Sequence, residues 1–391
     1  MSQQLINHSP DLKRLRDEGY EIEVHGGHLL VHHIPYVRSN KEIQFGTLVS
    51  TLSLRNATTT GAPDTHVIYF IGDSPCEIDG KVITAIQHED ITRNLGSIVV
   101  NHSFSNKPPQ GYPNYYEKVK RYVDIISAPA KYLDNNVTER TFKVIPDSAN
   151  ETVFQYIDTN SSRASIDLIN AKLAGQKVAI IGLGGTGAYV LDLVAKTPVS
   201  EIHLFDGDDF DQHNAFRSPG AASIDDLNKN QMKAEYLSGI YSNMHKHIIP
   251  HSYYVQKGNI QELDRMSFVF ICVDKNSVRN MIANYLVRVG IPCIDVGLGV
   301  QTVNDRLLGQ IRVTAFTNTK NDHLPNRIFA EDDENNDYIT NVQIAELNSL
   351  NACMAVIKWK KLSTFYIDQE NEHHSVYVIG ISKIINDDIA T

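Results

Sequence analysis

The chain has 391 residues, of which 42% are hydrophobic and 21% charged, and a formal net charge of −10. Such a length predicts two domains rather than one. The acidic balance argues against a nucleic-acid partner, no run approaches the roughly 18 apolar residues of a membrane span, and the N-terminus lacks the basic-then-apolar layout of a secretory signal, so the chain is read as cytoplasmic.

Residues 20 to 105 are rich in strand signals. "YEIEVHGGHLLVHHIPYV" reads as two strands joined by a Gly-Gly turn, and "IQFGTLVSTLSL", "THVIYFIG" and "SIVVNHSFS" as further strands. "PNYYEKVKRYVDIISAPAKYLD" carries helical spacing. Together these predict an α+β accessory domain over residues 1–150. "PDSANETVFQYIDTNSSRAS" is a polar connector, and "SIDLINAKLAG" a short helix leading to the strand at Lys177.

A second domain, residues 151–391, alternates strands and helices. Strands are expected at 177–182, 201–206, 251–256, 267–273 and 291–296, and helices at 186–196, 225–246 and 276–289. Alternation of this kind predicts an α/β fold, a Rossmann-like, mostly parallel sheet with helices on both faces. "GQIRVTAF" reads as another strand, 317–340 as a polar loop, "NVQIAELNSLNACMAVIKWKKL" as a helix and "SVYVIGI" as a last strand.

The first strand of that domain runs into "KVAIIGLGGTGAYVLDLVAK", in which Gly182, Gly184 and Gly187, with Gly185 between them, fit G-x-G-x-x-G. Such a turn brings backbone N–H groups and a helix N-terminus against a phosphate. Asp206 follows 19 residues after Gly187, where a carboxylate can accept from ribose hydroxyls. That much suits NAD and ATP equally. Asp208, Asn214, Arg217, Lys233 and Asp274 separate them. Arg and Lys offset the charge of a triphosphate, and an Asp at the carboxyl end of a strand can hold Mg²⁺ through oxygen. No G-x-x-x-x-G-K-[ST] loop occurs, so transfer of the γ-phosphoryl group is not indicated. Attack on the α-phosphate, that is adenylation, remains.

The spacing Asp206-x-Asp208-x(5)-Asn214-x-x-Arg217, then Lys233, then Asp274 with "SVRN" after it, resembles the ThiF/MoeB adenylyltransferases, bacterial relatives of ubiquitin-activating enzymes. "GIPCIDVGLGV" followed by "GQI" is similar to that family's next strand and loop, and the resemblance covers about residues 163–362. It implies ATP and Mg²⁺ as ligands and a ubiquitin-like or sulfur-carrier protein as acyl substrate. It also implies ribose binding by Asp206, phosphate contacts from Asn214, Arg217 and Lys233, and metal binding by Asp274. A homodimer with an arginine contributed by the neighbouring subunit is implied as well, and Arg163 is the candidate by position. The N-terminal region resembles a domain found before bacterial ThiF-like domains. Proteins of that kind occur beside ubiquitin-like, conjugating-enzyme-like and deubiquitinating-type proteins, some tied to phage defence. Adenylation of a short peptide or small carboxylate, and a non-catalytic nucleotide-binding scaffold, stay open.

The four cysteines, Cys76, Cys272, Cys293 and Cys353, form no C-x-x-C pair and so suggest neither a disulfide framework nor the four-cysteine zinc site of many relatives. Cys272, Cys293 and Cys353 are expected to be buried, Cys353 on one helical face with Leu350 and Ile357, and Cys76, in "DSPCEIDG", to sit in an exposed turn. Residues 317–340 hold no cysteine to accept an acyl group as a thioester. His28 and His32, with His25, His66 and His102, read as satisfied or surface side chains, and "EDDE" at 331–334 as a solvated loop.

Overall fold

The structure is a computed structural model that describes residues 2–56, 58–145, 152–164, 166–328 and 342–390. It divides into two compact units, Met1–Thr152 with Tyr156–Ala171, and Val153–Gln155 with Lys172–Thr391.

In the first unit a short helix α1 (Pro10–Asp17) precedes β1 (Glu21–His25) and β2 (His28–Val37), which pair antiparallel with His25 opposite His28. Gly26 and Gly27 both take positive φ, 53° and 74°, the conformation that a two-residue hairpin turn needs and that only glycine adopts freely. With β3 (Ile43–Thr51), β4 (Val67–Ile71), β5 (Gln87–Glu89) and β6 (His102–Ser105) they form a sheet ordered β1-β2-β3-β4-β6-β5. Helix α2 (Tyr115–Leu133) starts where the Asn114 side chain accepts from the Glu117 N–H. Its Tyr115, Val119, Tyr122, Val123 and Ile126 recur every three or four residues and pack on Leu29, Val31, Leu48, Ile68 and Phe70. The same helix buries Lys118 completely; its Nζ donates to Ser50 Oγ at 2.8 Å and to the Val67 carbonyl at 2.7 Å.

The second unit holds β7 (Lys177–Ile181), β8 (Glu201–Phe205), β9 (Ile248–His251), β10 (Phe268–Ile271), β11 (Cys293–Val303), β12 (Arg306–Phe316), β13 (His374–Val378) and β14 (Lys383–Asp387). Their order is β9-β8-β7-β10-β11-β12-β13-β14; the first five are parallel and the rest antiparallel. Strand periodicity assigns alternate residues to opposite faces. Val178, Ile180, Leu204 and Phe270 share a core with α3 (Gly185–Val194), α5 (Lys233–Tyr241) and α7 (Ala345–Leu362). Ala179, Ile181, Val269 and Ile271 share another with α6 (Asn276–Val289). Helices therefore cover both faces, and the α/β alternation read from the sequence is present. Trp359 of α7 is fully buried beside Phe268 and Phe270, its indole N–H donating to Gln176 Oε1 at 3.1 Å. The strand order reverses at β7, which lies between β8 and β10, so a crevice opens at the carboxyl ends of these strands.

Several elements differ from expectation. The strand expected at 251–256 ends at His251; it is the sheet edge, where Pro250 removes no needed ladder bond, and the chain then leaves to wall the crevice. The helix expected at 225–246 is two: α4 (Ile224–Asn228), capped by Ser223 and Asp226, and α5, separated at Asn230, whose φ is 48°. β11 and β12 are far longer than expected, and β14 is added after the strand expected last. Cys76 does not sit in an exposed turn: it bridges Val37 and Val82, is 1% exposed, and burial pushes its thiol pKa up. Cys353 is half-buried, and its expected companions Leu350 and Ile357 are exposed. α7 buries instead the face of Asn348, Asn351, Ala352, Ala355, Val356 and Trp359, because small residues let it approach α3 closely. Cys293 is buried. His28 Nδ1 meets the Gly26 carbonyl and His32 Nε2 lies 2.9 Å from Glu23, and among the described residues no group of three or more His, Cys, Asp or Glu could hold a metal. The "EDDE" run lies outside the described residues.

Candidate functional site

The glycine turn joins β7 to α3 at the centre of the crevice. Gly182 has φ 87°, and a Cβ there would lie 2.8 Å from the Cys272 carbonyl carbon and oxygen. A Cβ on Gly187 would lie 1.9 Å from the Gly182 carbonyl oxygen, and one on Gly185 1.9 Å from Asn348 Nδ2. These glycines are therefore demanded by close approach. Gly184, the N-cap of α3, is different: nothing lies within 4 Å of its Cβ position. The N-cap of α3 thus faces open space, and the first N–H groups of a helix have no acceptor within it, which suits an anion. Gly187→Ala is expected to destabilise the second unit by about 1–3 kcal/mol or more, since backbone must move. Thermal melting followed by Trp359 fluorescence checks this, and a wild-type midpoint would mean that the turn opens freely.

Asp206 directly follows β8 and is 6% exposed. Its Oδ2 accepts from the Leu183 N–H at 2.6 Å and its Oδ1 from the Asp208 N–H at 2.9 Å, which ties the second strand to the glycine turn. Burial pushes its pKa up, against the pull of Lys233. Lys233 opens α5, its own N–H bonded to the Asp208 carbonyl; its Nζ reaches Asp208 Oδ2 at 2.7 Å and Asp206 Oδ1 at 4.0 Å. Burial works against the charge on Asp208, but hydrogen bonds from Lys233 and the Tyr254 hydroxyl hold its carboxyl below the usual range.

Gly182, Gly184, Asp206, Asp208, Arg217, Lys233 and Asp274 line one cavity of about 430 Å³. Burial draws the Arg217 pKa down, opposed by Asp274 and Asp208; arginine stays charged at neutral pH regardless. Its Nε is buried without a hydrogen-bond partner, as is Asn214 Nδ2. Asn214 itself is 1% exposed and is not among the lining residues; its Oδ1 accepts from the Asp211 N–H in a capping box. Gly185 and Gly187 also stand behind the wall. Arg163 ends a short helix, Thr159–Arg163, of the first unit, and its side chain lies outside the described ones.

Four polar lining residues were missed in the sequence: Tyr254, Gln256, Lys275 and Gln343. Tyr254 and Gln256 were hidden by the strand expected there, and the Tyr254 ring lies over Gly207, 2.8 Å from where a Cβ would be. Lys275 is adjacent to Asp274 and was legible as a basic residue at a helix start. Cys272 also lines the cavity rather than the core alone, and its enclosed surroundings push its thiol well above the usual pKa. The arrangement offers acceptors for sugar hydroxyls, an N–H cradle and two cations for phosphates, and a carboxylate at the rim for a hard cation. The orphaned Arg217 Nε, on a lining side chain, is a donor suited to an anionic ligand, whereas the unpartnered Asn214 Nδ2 stands behind the wall.

A family model described as the ThiF family matches residues 161–378, and one described as a domain of unknown function, DUF6791, matches residues 10–159. No sequence among the curated proteins matches the chain. Among solved structures, E. coli MccB with MccA-N7isoASN is 18% identical over 73% of this chain and 81% of that one, with a TM-score of 0.49. The microcin C7 biosynthetic enzyme MccB with N-formylated MccA is 18% identical over 78% and 96%, with a TM-score of 0.47. PaaA is 16% identical over 56% and 75%, with a TM-score of 0.44.

Proposed function

Because this chain belongs to the ThiF family of adenylyltransferases, we propose that its crevice binds ATP and activates a carboxylate as the acyl-adenylate. The observation that carries the reading is the gathering of Asp206, Asp208, Arg217, Lys233 and Asp274 around one cavity headed by the open N-terminus of α3. A carboxylate oxygen attacks the α-phosphorus, the bond from that phosphorus to the bridging oxygen breaks, and pyrophosphate leaves with the bond's electrons. Asp206 holds the ribose hydroxyls. The α3 N-terminus, Arg217 and Lys233 take charge that develops on the phosphates, with Asn214 Nδ2 as a further donor from behind the wall. Lys233 must exchange its Asp208 contact for phosphate, which keeps the ammonium compensated before the nucleotide arrives. Asp274 would hold Mg²⁺, which when bound neutralises phosphate oxygens.

The acyl substrate we assign is the C-terminal carboxylate of a ubiquitin-like or sulfur-carrier protein, within a bacterial ubiquitin-like conjugation pathway tied to antiviral defence. That choice rests on the resemblance of both regions to bacterial ubiquitin-like conjugation proteins. A conjugating-enzyme-like protein would be the next partner, and a homodimer with Arg163 reaching the neighbouring site would complete the catalytic set. The role of the first unit would be accessory. ATP–pyrophosphate exchange tests the substrate, with β-grasp proteins, short peptides and small carboxylates as separate arms; exchange with peptides or small acids alone would sink the protein substrate. Loss of exchange in all arms would favour a non-catalytic scaffold.

Calorimetric titration is expected to show Mg-ATP binding and little NAD binding, because the cations and Asp274 have no task in a dinucleotide site. NAD binding tighter than Mg-ATP would reverse the reading. A thioester is not expected. Cys76 and Cys293 are buried, Cys272 has a raised pKa and Cys353 is half-buried. Mass spectrometry after incubation with ATP and an accepted substrate should show no dithiothreitol-labile adduct; one on any cysteine would contradict this.

A further inference from the structure

Asp274 stands at the rim of the crevice with no described element holding its carboxylate from the front, so its aim depends on the backbone behind it. That backbone is held by one side chain. Arg279, in the first turns of α6, folds back toward the strand ends: its Nε–H donates to the Val273 carbonyl at 2.6 Å and its Nη2–H to the Val296 carbonyl at 2.5 Å. Val273 precedes Asp274, and Val296 lies on β11, the neighbouring parallel strand. The guanidinium thus ties the segment that follows β10 to β11 just past the end of their parallel pairing.

Its charge is fixed from the other side. Asp295 is fully buried, with Arg279 Nε 3.6 Å from its Oδ1 and Arg312 Nη1 2.7 Å from its Oδ2. Neither oxygen receives an aligned hydrogen bond, so Asp295 acts as a shared counter-charge more than as an anchor of geometry. A buried carboxylate between two arginines is costly to disturb, which makes the triad rigid. Gly297, next to Val296, has no room for a side chain because Arg312 Nε lies 2.6 Å from its Cβ position. The Gly297 carbonyl accepts from Asn351 Nδ2 at 3.1 Å, which secures the same stretch of β11 from α7.

We infer that Arg279 is a positioning residue for the cation-holding side of the site: it sets the direction of Asp274 by clamping the Val273 and Val296 carbonyls against the Asp295 charge. Only a planar fork with separate donors can make both bonds at once; a lysine places one point charge on one carbonyl. The inference rests on the nucleotide reading above and goes beyond it by naming what aims Asp274.

The test is Arg279→Lys in the full chain, with ATP binding measured by calorimetry across a Mg²⁺ series and AMP binding measured without metal. The expected result is about a tenfold rise in the Mg²⁺ concentration that half-saturates ATP binding, with AMP affinity and thermal midpoint little changed. An unchanged Mg²⁺ requirement overturns the inference. Equal weakening of AMP and Mg-ATP also overturns it, since that is what a general loosening of the crevice gives. Should the lysine variant not accumulate as folded protein, Arg279→Gln, which removes the charge and keeps donors for one carbonyl, is expected to give the same Mg²⁺ shift with a lowered thermal midpoint, and is judged by the nucleotide outcomes alone. Wild-type protein that binds AMP but shows no Mg²⁺ effect on ATP overturns this inference alone. Wild-type protein that binds neither nucleotide overturns the ATP reading and this inference with it.

Discussion

Asp274→Asn and Arg217→Ala, made separately, are expected to lower ATP–pyrophosphate exchange at least a hundredfold with little change in thermal midpoint. Both side chains line the cavity, and in the proposed reaction each would face charge that appears as pyrophosphate leaves. Loss of one such contact costs about 3 kcal/mol of transition-state stabilisation, about two powers of ten in rate. Arg217 is half-buried and its Nε has no partner within the protein, so its removal breaks no hydrogen bond at that atom. Asn at 274 keeps the shape and discards the charge. The control is the melting curve, and exchange near the wild-type rate in a folded variant would reject the role of that residue.

Lys118→Met is expected to flatten a pH dependence of stability that the wild type shows between about pH 7 and pH 9. Burial lowers the Lys118 ammonium from its ordinary value to about 7, only weakly opposed by Asp64. In that window the unfolded chain keeps a proton that the folded chain has lost. Unfolding free energy therefore rises with pH, by a few kcal/mol in all. Below pH 7 both states carry the charge, and the folded state bears it next to Ser50 and Val67 at its full cost. Above pH 9 the trend turns, because Cys76 has a raised pKa and burial pushes Tyr20 and Tyr115 up to about 12; their stabilisation is lost once the unfolded thiol and phenols ionise. Hydrogen exchange of α2 and β3 amides reads the first unit directly. A slope that persists in Lys118→Met would place the titration elsewhere, and a flat wild-type curve would remove its basis.

Three strands of the parallel half, β7, β8 and β10, were legible because each is short, largely apolar and followed by a helix start. The glycine turn and Asp206 announced where the crevice would be. The antiparallel half was less so, although a signal existed: Asn304 and Asp305, with φ of 49° and 57°, form the two-residue turn of the β11–β12 hairpin, and Asn-Asp tolerates that conformation. The walls were illegible for a different reason. Tyr254 and Gln256 act after the strand ends, and nothing in apolar periodicity tells an edge strand where to stop. The buried face of α7 was misjudged because it carries Asn348 and Asn351, which look outward by polarity. Asn348 Oδ1 accepts from the Thr186 hydroxyl at 3.0 Å, and Asn351 serves Gly297. Polar residues that serve backbone and hydroxyl groups in an interior mimic a solvated face. Cys76 was misplaced because an acidic stretch with a Pro and a Gly reads as a turn even when neighbouring strands enclose it.

The seat of α7 bears on how the chain is made. Every strand of the parallel half has left the ribosome before residue 345, but the apolar floor under Phe268 and Phe270 stays open until Trp359 arrives. β12 meanwhile exposes a free edge until β13 follows, some 60 residues later. The glycine turn is also unsupported in this interval, since Asn348 comes from the same late helix. The nascent second unit therefore passes through a stage that has the carboxylates and cations of the crevice in sequence but an incomplete scaffold around them, with an exposed edge prone to pair with other chains. Slow translation through residues 317–344 would lengthen that exposure, whereas rapid synthesis to residue 378 would close both openings in one step.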